Sequence, residues 1–469
     1  MTKLLLACCL IAAAETPRQA VPVVGEWGGM IDAGGVKLRI ALHVTQDAKG
    51  GLRVSLDSLD QAAKGLGASI VTLKGKAFHF QMNDLDASFD GLLSVDGKTI
   101  RGQWTQGGQP APLVFHRSTG QVEIARPQNP KKPYPYNEEE IVYENRSAHV
   151  KLAGTLTTPR GKGPFPVALL ITGSGPQDRD STLYGHKPFL VIADHLTRLG
   201  IAVLRLDDRG VGKSTGDLEQ STEEDLAGDV LTGVEWLKGR KDIDARKIGF
   251  IGHSEGGIVA AMAAARSSDV AFVVSLGGPG IPGEQLLYLQ GAALNRAMGA
   301  SVETIEKNRA VQEQMFAIVK REKDNVAAER ELRALTKKVQ SELSDAERSS
   351  AGQGLEDALN AQIRMVLSRD FRFFLTYDPG TAWRQVKAPV LALNGALDRQ
   401  VPASENLSAI TAALAAGGNP DYEIASLPKL NHLFQKSETG SFSEYGQLEE
   451  TFAPVALRNM SDWILRHVR

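Results

Sequence analysis

Acyl transfer by a serine needs three groups: a hydroxyl, an imidazole to take its proton, and a carboxylate to hold that imidazole in the useful tautomer. The pentapeptide G-x-S-x-G, which can put a serine on a tight turn, occurs twice here, and in a chain with 47 glycines a chance match is unsurprising. Context separates the two. Gly252-His253-Ser254-Glu255-Gly256 follows the apolar run 247–251 and leads into the small-residue run 257–266, which reads as strand, sharp turn and helix. That arrangement lifts a serine hydroxyl above a sheet, while glycines two residues to either side let strand and helix approach without Cβ clashes. Gly212-Lys213-Ser214-Thr215-Gly216 stands beyond its strand and is followed by polar loop, so Ser214 is on no such turn. The same stretch imitates a phosphate-binding loop, but Asp207 occupies the place of the first glycine, and no nucleotide partner is expected.

Ser254 is therefore the expected nucleophile, and the other two groups should follow it in the chain as acid and then base. Asn394-Gly395-Ala396-Leu397-Asp398 places Asp398 in the loop after an apolar strand, and Leu430-Asn431-His432 places a histidine in the loop after the next. Of nine histidines only His432 and His467 lie beyond Asp398, and His467 ends a terminal helical stripe, where a cation favours the helix dipole. His432 is the expected base and Asp398 its orienting acid. A plain turn aspartate before Val401-Pro402 is the competing account of Asp398, with Asp421 or Glu423 as fallback acids. The oxyanion needs preorganised N–H donors. The backbone of Glu255 should supply one, and Thr172-Gly-Ser-Gly-Pro-Gln-Asp-Arg-Asp180 the other, through Ser174 or Gly175. Arg179 and Asp180 are expected to pair within that loop, and Asp208-Arg209-Gly210 to brace its neighbour.

These residues need a scaffold. After residue 139 apolar strands alternate with amphipathic helices, the pattern of a mostly parallel sheet covered on both faces. Strands are expected over 166–172, 201–206, 247–252, 271–276, 389–393 and 422–426. Ser221-Thr-Glu-Glu224 reads as a capping box before Leu226, Val230, Val234 and Leu237; Leu457, Met460, Ile464 and Val468 form a second helical stripe. Between 276 and 389 lie about a hundred residues with no strand pattern but with helical stripes at Val311, Met315, Ile318 and at Leu332, Leu335, Val339, Leu343. A helical cap insertion over 283–380, walling the site and restricting substrates, is expected; a peripheral bundle or oligomer contact is the alternative.

Ahead of this lie other units. Residues 25–117 alternate polar and apolar in short runs punctuated by Lys49-Gly50-Gly51, Asp90-Gly91 and Asp96-Gly97, which reads as an antiparallel meander or small barrel with Trp27 and Trp104 as packing residues. Pro127, Pro130, Pro133 and Pro135 mark a stiff linker over 118–138. Lys3, the apolar run 4–14 and Ala12-Ala13-Ala14 read as a signal peptide over 1–14, too short to span a bilayer. Export to a secreted or periplasmic location follows, with Cys8 and Cys9 removed and no stable membrane insertion after processing. Leu5-Leu6-Ala7-Cys8 only loosely suits lipoprotein processing, and anchoring is not expected. A net charge of −2 supplies no field for nucleic acid. Neither cofactor nor metal is expected, and a homo-oligomer is left open.

With these motifs assembled, the region from 139 onward resembles bacterial carboxylesterases of the α/β-hydrolase superfamily, in particular the exported type with a separate N-terminal β domain. The matching stretches are Ile171 to Asp180, Val203 to Ser214, Ile251-Gly-His-Ser-Glu-Gly-Gly257, Asn394 to Pro402, and Asn431-His432. The resemblance implies an α/β-hydrolase fold with a helical insertion before the last strands, no cofactor, and cleavage of simple acyl esters as small-molecule substrates. Relatives are also labelled prolyl-oligopeptidase-like peptidases; such a peptidase usually carries a β-propeller or an acidic pair reading a substrate amino terminus, and the sequence offers neither. The same triad would serve a serine aminopeptidase or acyl-peptide hydrolase. In a third reading the chain is a binding protein with a vestigial hydrolase site.

Overall fold

Alternating polarity in the first part of the chain yields, among the described residues, nine antiparallel strands: β1 (Gly25–Ala33), β2 (Val36–Gln46), β3 (Leu52–Ser58), β4 (Ala63–Gly67), β5 (Ile70–Lys74), β6 (Ala77–Met82), β7 (Ala87–Leu93), β8 (Thr99–Gln106) and β9 (Gln109–Ser118). The computed structural model describes residues 22–33, 36–47, 49–61, 63–119, 125–297, 299–342 and 355–469. The leader expected over 1–14, with Cys8 and Cys9, lies outside these residues. The chain divides into two units, Met1–Ile124 and Ala125–Arg469.

In the first unit the sheet order is β4-β3-β2-β1-β9-β8-β7-β6-β5. The two edge strands are joined by residues 68 and 69 alone, whose N–H groups donate to Val54 and Gln81 on opposite arms. So short a connection requires the sheet to curl until its edges approach, as in a barrel. Its interior is aromatic: Trp27, Phe78, Phe80, Phe89, Trp104 and Phe115 are buried, and the Trp27 indole donates to the Val23 carbonyl at 2.9 Å. Both tryptophans thus pack the core.

The described residues of the second unit hold eight strands: β10 (Asn137–Asn145), β11 (Val150–Thr158), β12 (Phe165–Ile171), β13 (Ala202–Leu206), β14 (Ile243–His253), β15 (Val270–Leu276), β16 (Val390–Gly395) and β17 (Tyr422–Leu427). Their order is β10-β11-β13-β12-β14-β15-β16-β17, parallel from β13 onward with β10 and β11 antiparallel at one edge. This is the α/β-hydrolase fold. The six expected strands form its parallel part. β10 and β11 have no counterpart among the expected strands; in β10, Glu138, Glu139 and Glu140 disguise an edge strand that faces water on one side. β12 is flanked by β13 on one side and β14 on the other, so the strand order reverses there, and the crevice beyond the carboxyl ends of β12 and β14 is where such sheets bind ligands.

Helices cover both faces. The helix Glu223–Lys238 starts one residue later than expected: Thr222 is the N-cap, its hydroxyl accepting from the Asp225 N–H while Asp225 reaches back. Ser221 is diverted, donating to the Asp217 carbonyl and accepting from Arg209. The terminal stripe Leu457, Met460, Ile464 and Val468 is buried in the helix Pro454–Val468. Between β15 and β16 come the helices Gly283–Ala297, Val302–Arg321, Asn325–Glu342, Leu355–Val366 and Arg369–Thr376. They share a small core of their own, centred on Phe316, Val319, Leu332, Ile363, Val366 and Leu375; Leu343 lies outside the described residues. Residues 125–136 form no regular element, yet they are not free-running: buried Arg126 donates to the carbonyls of Tyr184, Gly446 and Leu448, and Gln128 bridges Phe452.

Candidate active site

β14 ends at His253, the helix Gly256–Ala265 begins three residues on, and Ser254 occupies the turn with φ +56°, the left-handed region that a residue with a Cβ adopts only when its surroundings enforce it. The enforcement is visible. The Ser254 N–H donates to the Leu276 carbonyl at 2.8 Å, and its own carbonyl accepts from Gly257 at 2.8 Å. A Cβ at Gly252 would sit 2.1 Å from the Gly256 carbonyl oxygen, and one at Gly256 would sit 2.4 Å from the oxygens of Ile171 and Thr172. Only glycine fits either position. The competing Ser214 is buried as a strut, donating to the Asp207 carbonyl and accepting from Ala153.

At the ends of β16 and β17 the other two expected residues meet. His432 Nδ1 lies 2.7 Å from Asp398 Oδ2, with both side chains buried. The second carboxylate oxygen, Oδ1, accepts the N–H groups of Gln400 and Val401, each at 2.8 Å. Oδ1 thus holds the turn before Val401-Pro402, and Oδ2 faces the imidazole. The fallback acids are engaged elsewhere: Asp421 with His467 at 3.2 Å and Glu423 with Arg466 at 2.6 Å. His467 is held against the Trp463 ring, away from this loop. Ser254 and His432 line one cavity of about 380 Å³, with no hydrogen bond between them among the described residues. Catalytic contacts often close only in the substrate complex.

One positioning contact is not legible in the sequence. His253 Nε2 donates to the His432 carbonyl at 3.0 Å, and its ring stands 4.8 Å from that of His432. Burial, followed by the neighbouring imidazole, depresses its pKa to about 3, so the ring stays neutral and keeps its donor. The only sequence signal is its place inside the G-x-S-x-G motif.

The loop after β12 closes over the same spot. A Cβ at Gly173 would lie 2.9 Å from the Cβ of Ser254, and Ser174 and Gly175 line the cavity beside it. The loop is braced from below by Asp208, which accepts the Thr172 hydroxyl at 2.5 Å and the Gln177 N–H at 2.8 Å. Burial lifts the Asp208 carboxyl to about 7. The expected Arg179–Asp180 pair does not form. Arg179 instead reaches Asp207 at 2.6 Å and Glu140 at 2.7 Å, while Asp180 pairs with Arg205 and Lys187. Arg179 and Asp180 are the central residues of a turn closed by the Ser181 N–H on the Asp178 carbonyl, and each finds its partners outside that turn. Arg209 turns inward to Asp229 at 2.6 Å.

Ser254 also opens onto a larger space of about 890 Å³, whose far wall is made by Leu286, Leu287, Arg364, Phe371 and Phe374 of the helical insertion. Glu255 and Asp370 line this side, and with Glu223 they form a group of three carboxylates that the sequence, in which no acidic pair stands out, does not announce. They are far apart in the chain and share no motif.

This chain is 33% identical over 205 residues to the esterase EstD of Thermotoga maritima, and 33% identical over 117 residues to an uncharacterised protein of Mycobacterium tuberculosis. The matches take in 43% and 25% of this chain and 47% and 37% of those proteins, so it spans less than half the length of the curated relatives it matches. The α/β hydrolase GrgF from Penicillium is 16% identical, with a TM-score of 0.45, across 71% of this chain and 99% of that one. No helix among the described residues is long and apolar enough to cross a membrane. The model of the X-Pro dipeptidyl-peptidase (S15) family matches residues 147–423, which takes in both the Ser254 turn and Asp398. That span is more than half of the chain, and the chain belongs to the X-Pro dipeptidyl-peptidase (S15) family, on an α/β-hydrolase fold.

Proposed function

We propose that the protein hydrolyses carboxylic esters by two-step acyl transfer. Ser254 attacks the ester carbonyl as His432 takes its proton, and Asp398 holds the His432 tautomer and stabilises the imidazolium. The backbone N–H groups of Glu255 and Ser174, with Gly175 as the alternative, receive the oxyanion; none of the three is spent on another hydrogen bond among the described residues. The alcohol leaves with the proton from His432, and water then cleaves the acyl-enzyme through the same base. The observation that carries the reading is the 2.7 Å contact from His432 to Asp398 beside a serine strained at φ +56° on the same cavity. The esterase name of the Thermotoga maritima relative is in line with it.

Ser254→Ala should lower turnover of a nitrophenyl ester by at least ~10³, with an unchanged circular dichroism spectrum. Retained turnover refutes the assignment. Labelling of Ser254 by a fluorophosphonate, which requires an activated serine, separates this reading from a vestigial site. The family name favours a second reading, cleavage of peptides by the same residues. A panel of nitrophenyl esters against aminoacyl anilides decides between them on kcat/KM. We also propose export, with the leader over 1–14 removed; the amino-terminal sequence of protein recovered outside the cytoplasm tests it.

A further inference from the structure

Three carboxylates converge beside the nucleophile with no counter-charge. Glu223 opens the helix Glu223–Lys238, Glu255 is the residue before the helix Gly256–Ala265, and Asp370 lies in the first turn of the helix Arg369–Thr376. One oxygen from each lies within 4.8 Å of the other two. Glu223 is 0% exposed, and neither of its carboxylate oxygens has a hydrogen-bond partner. Among the described residues no basic side chain pairs with any of the three. The arginines on adjoining turns are committed: Arg369 to Asp225 at 3.1 Å, Arg209 to Asp229 at 2.6 Å and Arg266 to Glu224 at 3.2 Å.

Orphaned carboxylates in a buried place are unfavourable unless something neutralises them. Protonation would remove the charge but would still leave both carboxylate oxygens of Glu223 without a partner. A cation satisfies the arrangement as it stands. Calcium takes oxygen ligands at about 2.3–2.6 Å, so two oxygens on one ion lie at most about 5 Å apart, which the observed spacing meets. The donor set is carboxylate only, which suits a hard ion and not zinc or copper. Glu255 and Asp370 border the cavity of about 890 Å³, so water can complete the six to eight ligands that calcium requires. A substrate ammonium does not fit as well, because the attached carbon chain would have to pass the other two groups to reach fully buried Glu223.

We propose that Glu223, Glu255 and Asp370 bind a divalent cation, calcium in the first instance, which fastens the helix Arg369–Thr376 of the insertion to the sheet domain beside Ser254. The inference stands apart from the hydrolytic reading, since it concerns binding and not turnover. The test uses the full-length protein, stripped with EDTA and exchanged into chelator-free buffer. Isothermal titration and thermal melts are run with CaCl2, and in parallel with MgCl2, MnCl2 and KCl at matched ionic strength. The expected result is one saturable site for CaCl2, with a Kd on the order of 10⁻⁵–10⁻³ M, and a rise in Tm that KCl does not reproduce. Asp370→Asn and Glu223→Gln should each weaken binding by at least about tenfold; Asp370 is only partly buried, so its variant guards against loss by misfolding. Saturation by MgCl2 or MnCl2 alone, lost in both variants, supports the site and changes the ion. Absence of saturable binding by all three divalent salts up to about 10 mM overturns the proposal, as does wild-type affinity in both variants.

Discussion

At Asp398 the two carboxylate oxygens do different things. Two backbone N–H groups fix Oδ1, and Oδ2 is thereby aimed at His432. The geometry gives a sharp expectation for Asp398→Asn. The turn survives, because an amide oxygen still accepts from Gln400 and Val401. The amide nitrogen then faces Nδ1, which favours the wrong imidazole tautomer and removes the charge that steadies the imidazolium. Ester kcat should fall by ~10³–10⁴ with KM little changed, and melting should shift only slightly. A loss under about tenfold in steady-state kinetics would move the acid's role elsewhere. The neighbours of Ser254 are set by similar exclusions. Gly277 at φ +61° allows its backbone to pass the pair, since a Cβ there would lie 3.3 Å from His432 Nδ1 and 3.4 Å from Asp398 Oδ2.

Among the elements, the loop after β12 matters most, because it supplies one proposed oxyanion donor and is held chiefly by Asp208 and Asp207. Asp208 is one of the buried carboxyls whose titration the fold feels. Its carboxyl is raised to about 7 from 3.8 by burial, so the folded state holds a proton that the unfolded state releases. The associated stability is complete below the unfolded value and is lost as pH rises through the folded one. Between about pH 5 and about pH 8 unfolding free energy should drop by roughly 2–3 kcal/mol from this group, since each pKa unit is worth ~1.4 kcal/mol. Urea unfolding of Asp208→Asn should lack that slope; the same slope in the variant and the parent would assign it to other carboxyls. Thr172 and Gln177 can still donate to an amide oxygen, so the loop should keep its course.

At the scale of the whole molecule, every residue assigned to the site belongs to Ala125–Arg469, and each unit has a separate hydrophobic core. A chain beginning at residue 125 should therefore retain ester kcat/KM within about threefold. One beginning at residue 137 should not, for it lacks Arg126 and Gln128. Arg126 alone supplies the carbonyls of Tyr184, Gly446 and Leu448 with charged donors, and its loss should cost about 2–4 kcal/mol of stability. Equal melting temperatures for the two truncations would show that this docking is dispensable. The prolines of 118–138 cannot reveal it, because proline content reports stiffness and says nothing about what a stiff segment lies against.

Local chemistry carries much of this in the sequence. The Ser254 turn, the six parallel strands and the stripe from Leu457 to Val468 are readable, since each depends on residues within a few positions of one another: glycines that permit a turn, and apolar spacing that matches an element's period. Edge strand β10 is hidden because only a partner strand makes its glutamate-rich segment extended. Contacts between distant segments were decided by the tertiary structure: Arg179 with Asp207 instead of Asp180, His253 under His432, and Glu223, Glu255 and Asp370 around one point. Side-chain direction and burial in those places follow from how the sheet order folds the chain back on itself, and a linear pattern does not encode that.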